Sequence, residues 1–293
     1  MKSLIVNADD LGWTDGVNRG IDECHRNGLV TSASLLANGA ALFTALELAG
    51  KSPQLGVGVH LNLSDGLPVA EARKIGSLLD AGGALHGSPG NLLFRLTRRR
   101  LTLEEVELEW EAQIRKIIDA GISPTHLDGH KHVHMLPGLF EIALKLAKRH
   151  QIPAIRVSHE ASTLRSALAS GSSSSISAVR RGARARGLKL LASDAREKVS
   201  RSGLSTADYF CGIAQTGHLT LQGVEQLLKA LPEGSTELMC HPGYVDQELQ
   251  KSATRLQGSR QTELEIFTNP SLRNFVAQRG IHLINYRRLA EQA

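Results

Sequence analysis

Cysteine is almost missing from this 293-residue chain. The three that occur, Cys24, Cys211 and Cys240, lie far apart and never as C-x-x-C. An odd, sparse count excludes a disulfide framework and a thiolate metal site, and it suits a reducing cytoplasm. Aromatic residues are only 4% of the chain, so a core has to be built from aliphatic side chains. No apolar run reaches the roughly 18 residues of a membrane span. At the N-terminus, Ser3-Leu4-Ile5-Val6 meets Asp9 and Asp10 before the apolar stretch of a signal peptide could be completed. The expected location is therefore cytoplasmic. A general excess of one charge is missing too. The net charge is +5, but residues 161–201 alone hold nine Lys/Arg against two Asp/Glu, which leaves the remainder at about −2. A nucleic-acid-binding surface is not supported by basic character confined to one segment.

What is present is a soluble composition, 41% hydrophobic and 22% charged, in short apolar runs that alternate with amphipathic stretches. Ser3–Ala8, Leu29–Leu36, Leu55–Leu61, Thr125–Asp128, Ile155–Val157, Tyr209–Ile213, Glu237–Cys240 and Ile281–Asn285 read as strands. Asp15–Arg26, with Val17, Ile21 and Cys24 on one face and Gly28 as its stop, reads as a helix, as do Ala40–Ala49, Gly138–Arg149 and Leu221–Leu231. Thr102-Leu103-Glu104-Glu105 has the form of a capping box opening a helix to about Ala120. Two short helices are expected before the last strand. Strands alternating with helices imply an α/β fold with a mainly parallel sheet. Six to eight such units fit a TIM-like (β/α) barrel, complete or with staves missing, over one catalytic domain spanning residues 1–293. Residues 160–205 read as a basic, Ser-rich insertion or lid, with Ser172–Ser175 consecutive inside it.

Polar residues fall where these strands end. Asp9 and Asp10 follow the first strand, His60 ends the third, Asp128 and His130 end the strand at Thr125, Arg156 lies in the next, and His241 follows Cys240. In a parallel barrel those carboxyl ends share one face, where active sites are built. Four of the chain's twelve histidines crowd into His126-Leu127-Asp128-Gly129-His130-Lys131-His132-Val133-His134. If the stretch were extended, residues 126, 128, 130, 132 and 134 would point one way. Imidazole and carboxylate converging there would suit a borderline divalent cation, with some of the histidines orienting the ligands instead. The plainer reading is a solvated, histidine-rich loop. Adjacent aspartates in an extended chain point apart, so Asp9 and Asp10 serve one site only if the strand breaks, and Gly12 makes a break plausible. Arg156 is open between holding a sugar hydroxyl, orienting a carboxylate and forming a surface ion pair.

Asn7-Ala8-Asp9-Asp10-Leu11-Gly12, Asn27-Gly28-Leu29-Val30-Thr31-Ser32, Gly58-Val59-His60-Leu61, the His126–His134 run and Cys240-His241-Pro242 together resemble the motif set of the YdjC-type carbohydrate deacetylases. The resemblance runs from Lys2 to about Arg288. It implies a barrel of the polysaccharide-deacetylase type and one divalent metal ion, magnesium or zinc, held by residues matching Asp10, His60 and His130. It also implies Asp9 as general base, and His241 matches the general acid; Asp128, His132, His134 and Arg156 would bind substrate or orient those groups. The implied reaction removes the N-acetyl group from an N-acetylglucosamine-type amino-sugar. A homodimer is also suggested by the family.

The basic segment between His159 and Thr206, with Asp208-Tyr209-Phe210 and Gly217-His218, is similar to the hopanoid-biosynthesis-associated branch, which would make the substrate a glycolipid. Soluble chitooligosaccharide is the alternative, and a non-catalytic sugar-binding barrel is the alternative of another class. Leu188, Leu190, Leu191 and Val199 are interleaved with Arg184, Arg186, Lys189, Arg196 and Lys198. That pattern can rest on an anionic membrane surface, so peripheral contact at the inner membrane face is an expectation beside that of a plain solvated loop.

Overall fold

The computed structural model describes residues 1–170 and 194–292. Its centre is a sheet of seven strands: β1 (Lys2–Leu11), β2 (Ser32–Leu35), β3 (Gly56–Leu61), β4 (Leu127–Gly129), β5 (Tyr209–Cys211), β6 (Gly234–Cys240) and β7 (His282–Leu283). The order is β4-β3-β2-β1-β6-β5, with β7 also on β1, and every pairing is parallel. β7 meets Ser3 and Leu4 of β1, below the point where β2 begins pairing at Asn7.

Around the sheet lie α1 (Asp15–Asn27), α2 (Leu42–Lys51), α3 (Pro89–Thr97), α4 (Leu103–Asp119), α5 (Leu139–Arg149), α6 (Ser162–Leu168), α7 (194–201), α8 (Leu221–Ala230), α9 (Gln247–Lys251), α10 (Gly258–Phe267), α11 (Pro270–Gln278) and α12 (Tyr286–Glu291). Among the described residues, no helix is long and apolar enough to cross a membrane. β1, β2 and β3 are buried on both faces, as parallel strands covered by helices are, whereas both residues of β7 are exposed.

The ring closes differently from the expectation. Ile155–Val157 forms no ladder. Between the edges β4 and β5 the chain makes single parallel bridges only, Leu127 with Ile155, Ala154 with Ser205 and Glu160 with Phe210. The result is a curled, incomplete (β/α) barrel whose gap is crossed by residues 154–160.

Local departures have local causes. Leu29–Thr31 stay out of β2 because their amides donate elsewhere, to Phe267, Cys24 and Val6. Gly28 does stop α1, but by close approach: a Cβ there would fall 2.1 Å from the Phe267 carbonyl oxygen. The capping box at Thr102 does not form. Glu105 instead accepts from the Ser77 amide at 2.7 Å, tying a turn at Gly76–Leu78 to α4. Three helices, not two, lie between β6 and β7, and α12 follows the last strand.

Of the basic segment, α6 packs on α8, and Leu164, Leu168, Ala195 and Val199 are buried in the core. Val199 is therefore not a surface residue. Arg196 donates to the Ala207 carbonyl, and Lys198 pairs with Glu141 and Asp194. The serine run Ser172–Ser175 and Arg184, Arg186, Leu188, Lys189, Leu190 and Leu191 lie outside the described residues.

Candidate active site

The break that two adjacent aspartates require occurs at the second of them. From Ala8 to Leu11, β1 advances three residues while β2 advances two, from Ala33 to Leu35. The extra residue is a bulge, and Asp10 takes φ 71°, left-handed backbone that Asp tolerates better than most side chains. Both carboxylates are thereby buried, on different partners.

Asp10 faces the histidines. Its Oδ1 lies 3.0 Å from His130 Nδ1 and 3.5 Å from His60 Nε2, and those two nitrogens are 3.3 Å apart. Donors about 2.1 Å from a common ion and roughly 90–110° apart would be about 3.0–3.4 Å from each other, so the spacing fits one divalent cation. Asp10 Oδ1 is buried with no hydrogen-bond partner, although its Oδ2 accepts from Arg260. A second group, Asp9, His60 and Asp128, has donors within 4.8 Å of one another, but its oxygens are already used. Asp128 Oδ1 is 2.8 Å from His60 Nδ1, its Oδ2 accepts from Ser34 and pairs with Arg156, and both oxygens of Asp9 accept from Arg156. The residues around Asp10 Oδ1 are the ones that fit the ion.

Electrostatics favour the same assignment. Burial would push Asp10 up, but Arg260 and His130 hold it well below the usual carboxylate range. Burial would lower His60, but Asp128, Asp9 and Asp10 outweigh it and raise it to about 9. An imidazole whose Nδ1–H is fixed on Asp128 while carboxylates draw a second proton to Nε2 offers that nitrogen to a cation in the proton's place.

Asp9 belongs to a separate network. Arg156 is fully buried and forks onto Asp9 with hydrogen bonds of 2.8 and 2.9 Å; its Nε donates to Glu237 at 2.8 Å. Asn7 Nδ2 adds a bond to Asp9 Oδ1, and the Tyr286 hydroxyl donates to Glu237. Of the three roles open to Arg156, the surface ion pair is excluded by burial, and the orientation of a carboxylate is what the contacts describe.

The alternation expected for 126–134 stops after β4. Residues 130–135 form tight turns kinked at Lys131 and His132, whose φ of 54° and 59° are left-handed. His130 stays with Asp10 and His60, whereas His132 turns to Ser158 Oγ (2.8 Å) and His134 to the Arg156 carbonyl (3.0 Å). His126 stacks on Tyr286, ring centroids 3.9 Å apart. His241 is buried after β6, its Nδ1 without a partner, and burial lowers it to about 4 against the pull of Asp10 and Asp9.

The sequence reading missed several residues. Arg260 and Glu263 reach the site from α10, far along the chain with no local motif; Glu263 accepts the His241 amide, and burial pushes its carboxyl up to about 7. Glu237 had a signal, a carboxylate inside the otherwise apolar end of β6. Asp65 also contacts the site, lying 3.3 Å from His130 Nε2 and paired with Lys131. The Trp13 ring is tilted against His130 at 5.4 Å.

Comparisons with known proteins show what the whole chain is similar to. Residues 3–278 match the family model described as YdjC-like protein. The chitooligosaccharide deacetylase of Klebsiella pneumoniae (strain 342) is 35% identical over 98% of both chains. The carbohydrate deacetylase of Geobacillus stearothermophilus is 34% identical over 98% of this chain and 97% of its own. A solved structure from Enterococcus faecalis V583, provisionally described as a cellobiose-phosphate cleavage protein, superposes with a TM-score of 0.79 at 30% identity, covering 98% of each chain. With its motifs on one barrel face and matched over nearly all its length, the chain belongs to the YdjC-like protein family.

Proposed function

We propose that this protein hydrolyses the N-acetyl amide of an N-acetylglucosamine-type amino-sugar, acting as one catalytic barrel over residues 1–293 with 160–205 as an insertion. The observation that carries the reading is the bulge at Asp10, which gives two neighbouring carboxylates separate partners. Asp10, His60 and His130 would hold one divalent ion, magnesium or zinc. When bound, such an ion lowers the pKa of water and polarises an amide carbonyl. Asp9 takes the proton of the attacking water, its carboxylate fixed by the Arg156 fork and by Asn7. His241 delivers a proton to the departing amine. Burial lowers its ring to about 4, so near pH 7 it is neutral and takes up the proton it passes on during the reaction, an uptake that the charges of Asp10 and Asp9 favour. His134 and Glu237 hold Arg156, Asp128 holds His60, and His132 packs edge-on against Phe210.

Two relatives carry the names carbohydrate deacetylase and chitooligosaccharide deacetylase, which supports the amide hydrolysis and, at a finer level, a soluble oligosaccharide. The glycolipid of the hopanoid branch rests on the basic segment, half of which lies outside the described residues. The test measures metal content and acetate release, from chitooligosaccharides and from an N-acetylglucosaminyl lipid, in the intact protein and in Asp9→Asn. The reading expects one bound divalent ion, acetate from at least one substrate, and a variant that keeps the ion but releases acetate at least roughly 10²-fold more slowly. A protein that binds both sugars and cleaves neither is instead a sugar-binding barrel. Size-exclusion chromatography of the same preparation checks the expected homodimer.

A further inference from the structure

Between β3 and α4 the chain builds a lobe beside the site: Asp65 touches His130, and α3 lies against the turn at His130–Met135. The inner side of α3 is fixed by buried Leu92 and by Arg95, whose guanidinium binds His86 and the Ser77 carbonyl. Among the described residues, no element covers its outer side. Leu93 and Phe94 are 41% and 50% exposed, and the exposed run Arg98-Arg99-Arg100 follows directly. Arg98 stands over the Phe94 ring at 5.5 Å. None of the three arginines has an acidic partner within ion-pair distance among the described residues. Arg99 ends the helix at φ 53°, a left-handed position where helices favour glycine. The same lobe exposes Leu67.

Large apolar side chains on the outside of a helix, followed at its end by unpaired arginines, match the chemistry of a bilayer interface. The apolar groups enter the acyl boundary while the guanidinium groups meet anionic headgroups. A nucleic acid would use the charges but leave Leu93 and Phe94 without a role. We propose that the outer face of α3, with Arg98, Arg99 and Arg100, docks the protein on an anionic lipid surface and holds the active-site mouth near it. The proposal does not rest on the deacetylase reading, since vesicle binding and acetate release are measured separately.

The experiment is co-sedimentation of the full-length protein with phosphatidylcholine vesicles, with and without phosphatidylserine. Binding only to the anionic vesicles is expected. Each basic residue near such a surface is worth about a factor of five, so Arg98→Ala/Arg99→Ala/Arg100→Ala should weaken partition roughly tenfold to hundredfold. Leu93→Ser/Phe94→Ser should weaken it while leaving the charge unchanged. In Phe94→Trp, the emission should gain a blue shift on adding anionic vesicles that the parent protein lacks. Absence of binding, equal binding to neutral vesicles, unchanged partition of the triple variant, or equal capture by heparin would each overturn the proposal. The altered side chains are exposed, and unchanged thermal melting shows that the variants fold.

Discussion

Asp9 and Arg156 meet through two side-by-side hydrogen bonds of 2.8 and 2.9 Å in a site that excludes solvent from both. Such a fork fixes the plane of the carboxylate, which a point charge cannot do. Arg156→Lys should therefore keep a folded protein and its metal content while lowering kcat by roughly 10²-fold or more. Acetate-release kinetics beside metal analysis check this; a lysine variant with the parent kcat would mean that orientation of Asp9 is immaterial.

The two neighbouring aspartates should fail differently. Asp9→Asn is expected to retain metal and lose roughly 10²–10⁴-fold in kcat. Asp10→Asn, whose side chain also tolerates left-handed backbone, should lose more metal affinity than the roughly 10–100-fold typical of an outer partner. Titration with the metal followed by calorimetry separates the two. Equal metal affinities would remove Asp10 from the ligand set.

Gly58 has a packing prediction. A Cβ there would lie 2.4–2.5 Å from three atoms of the His126 ring, inside a strand with no room to move. Gly58→Ala should cost roughly 1–3 kcal/mol, read by urea unfolding. In a double-mutant cycle, His126→Ala should relieve part of that cost. Strict additivity would show that the clash is absorbed elsewhere.

Glu263 sets a pH dependence. Burial raises its carboxyl from 4.5 to about 7. The folded state therefore holds a proton that the unfolded chain has given up, and the group's contribution is whole below about 4.5 and lost as pH rises through about 7. Glu263→Gln keeps an acceptor for the His241 amide without that titration. Relative to the parent, the variant should gain roughly 1–3 kcal/mol between about pH 5 and pH 8. Parallel pH–melting curves would contradict the assignment.

Much of the site was legible because parallel barrels gather strand ends on one face. Asp9, Asp10, His60, Asp128, His130 and His241 each sit at or just beyond such an end. Two things were not legible. The bulge was expected near Gly12 but falls on Asp10, since an aspartate in left-handed backbone leaves no mark in composition. Arg260 and Glu263 come from a helix remote in sequence, and only packing brings them in. The failed capping box at Thr102 is the converse, a local signal overridden when Ser77 claimed Glu105. Period-2 spacing through 126–134 misled for a similar reason, because two left-handed residues end the extension at Lys131.

The stave that crosses the barrel gap at residues 154–160 has single bridges where its neighbours have ladders, yet it carries Arg156. Its anchorage combines the buried side chains of Ala154, Ile155 and Val157 with the charges that Arg156 gathers, Asp9, Asp128 and Glu237. Local opening follows the weakest contacts. In a denaturant titration this seam should part before the sheet melts, so activity should fall at lower denaturant than circular dichroism does. Amide exchange should be fastest, among the staves, at 154–160. In the proposed reading, the arginine that aims the base also helps fasten the barrel wall, and the protein's working tolerance to stress is then set by the seam rather than by the global stability of the fold.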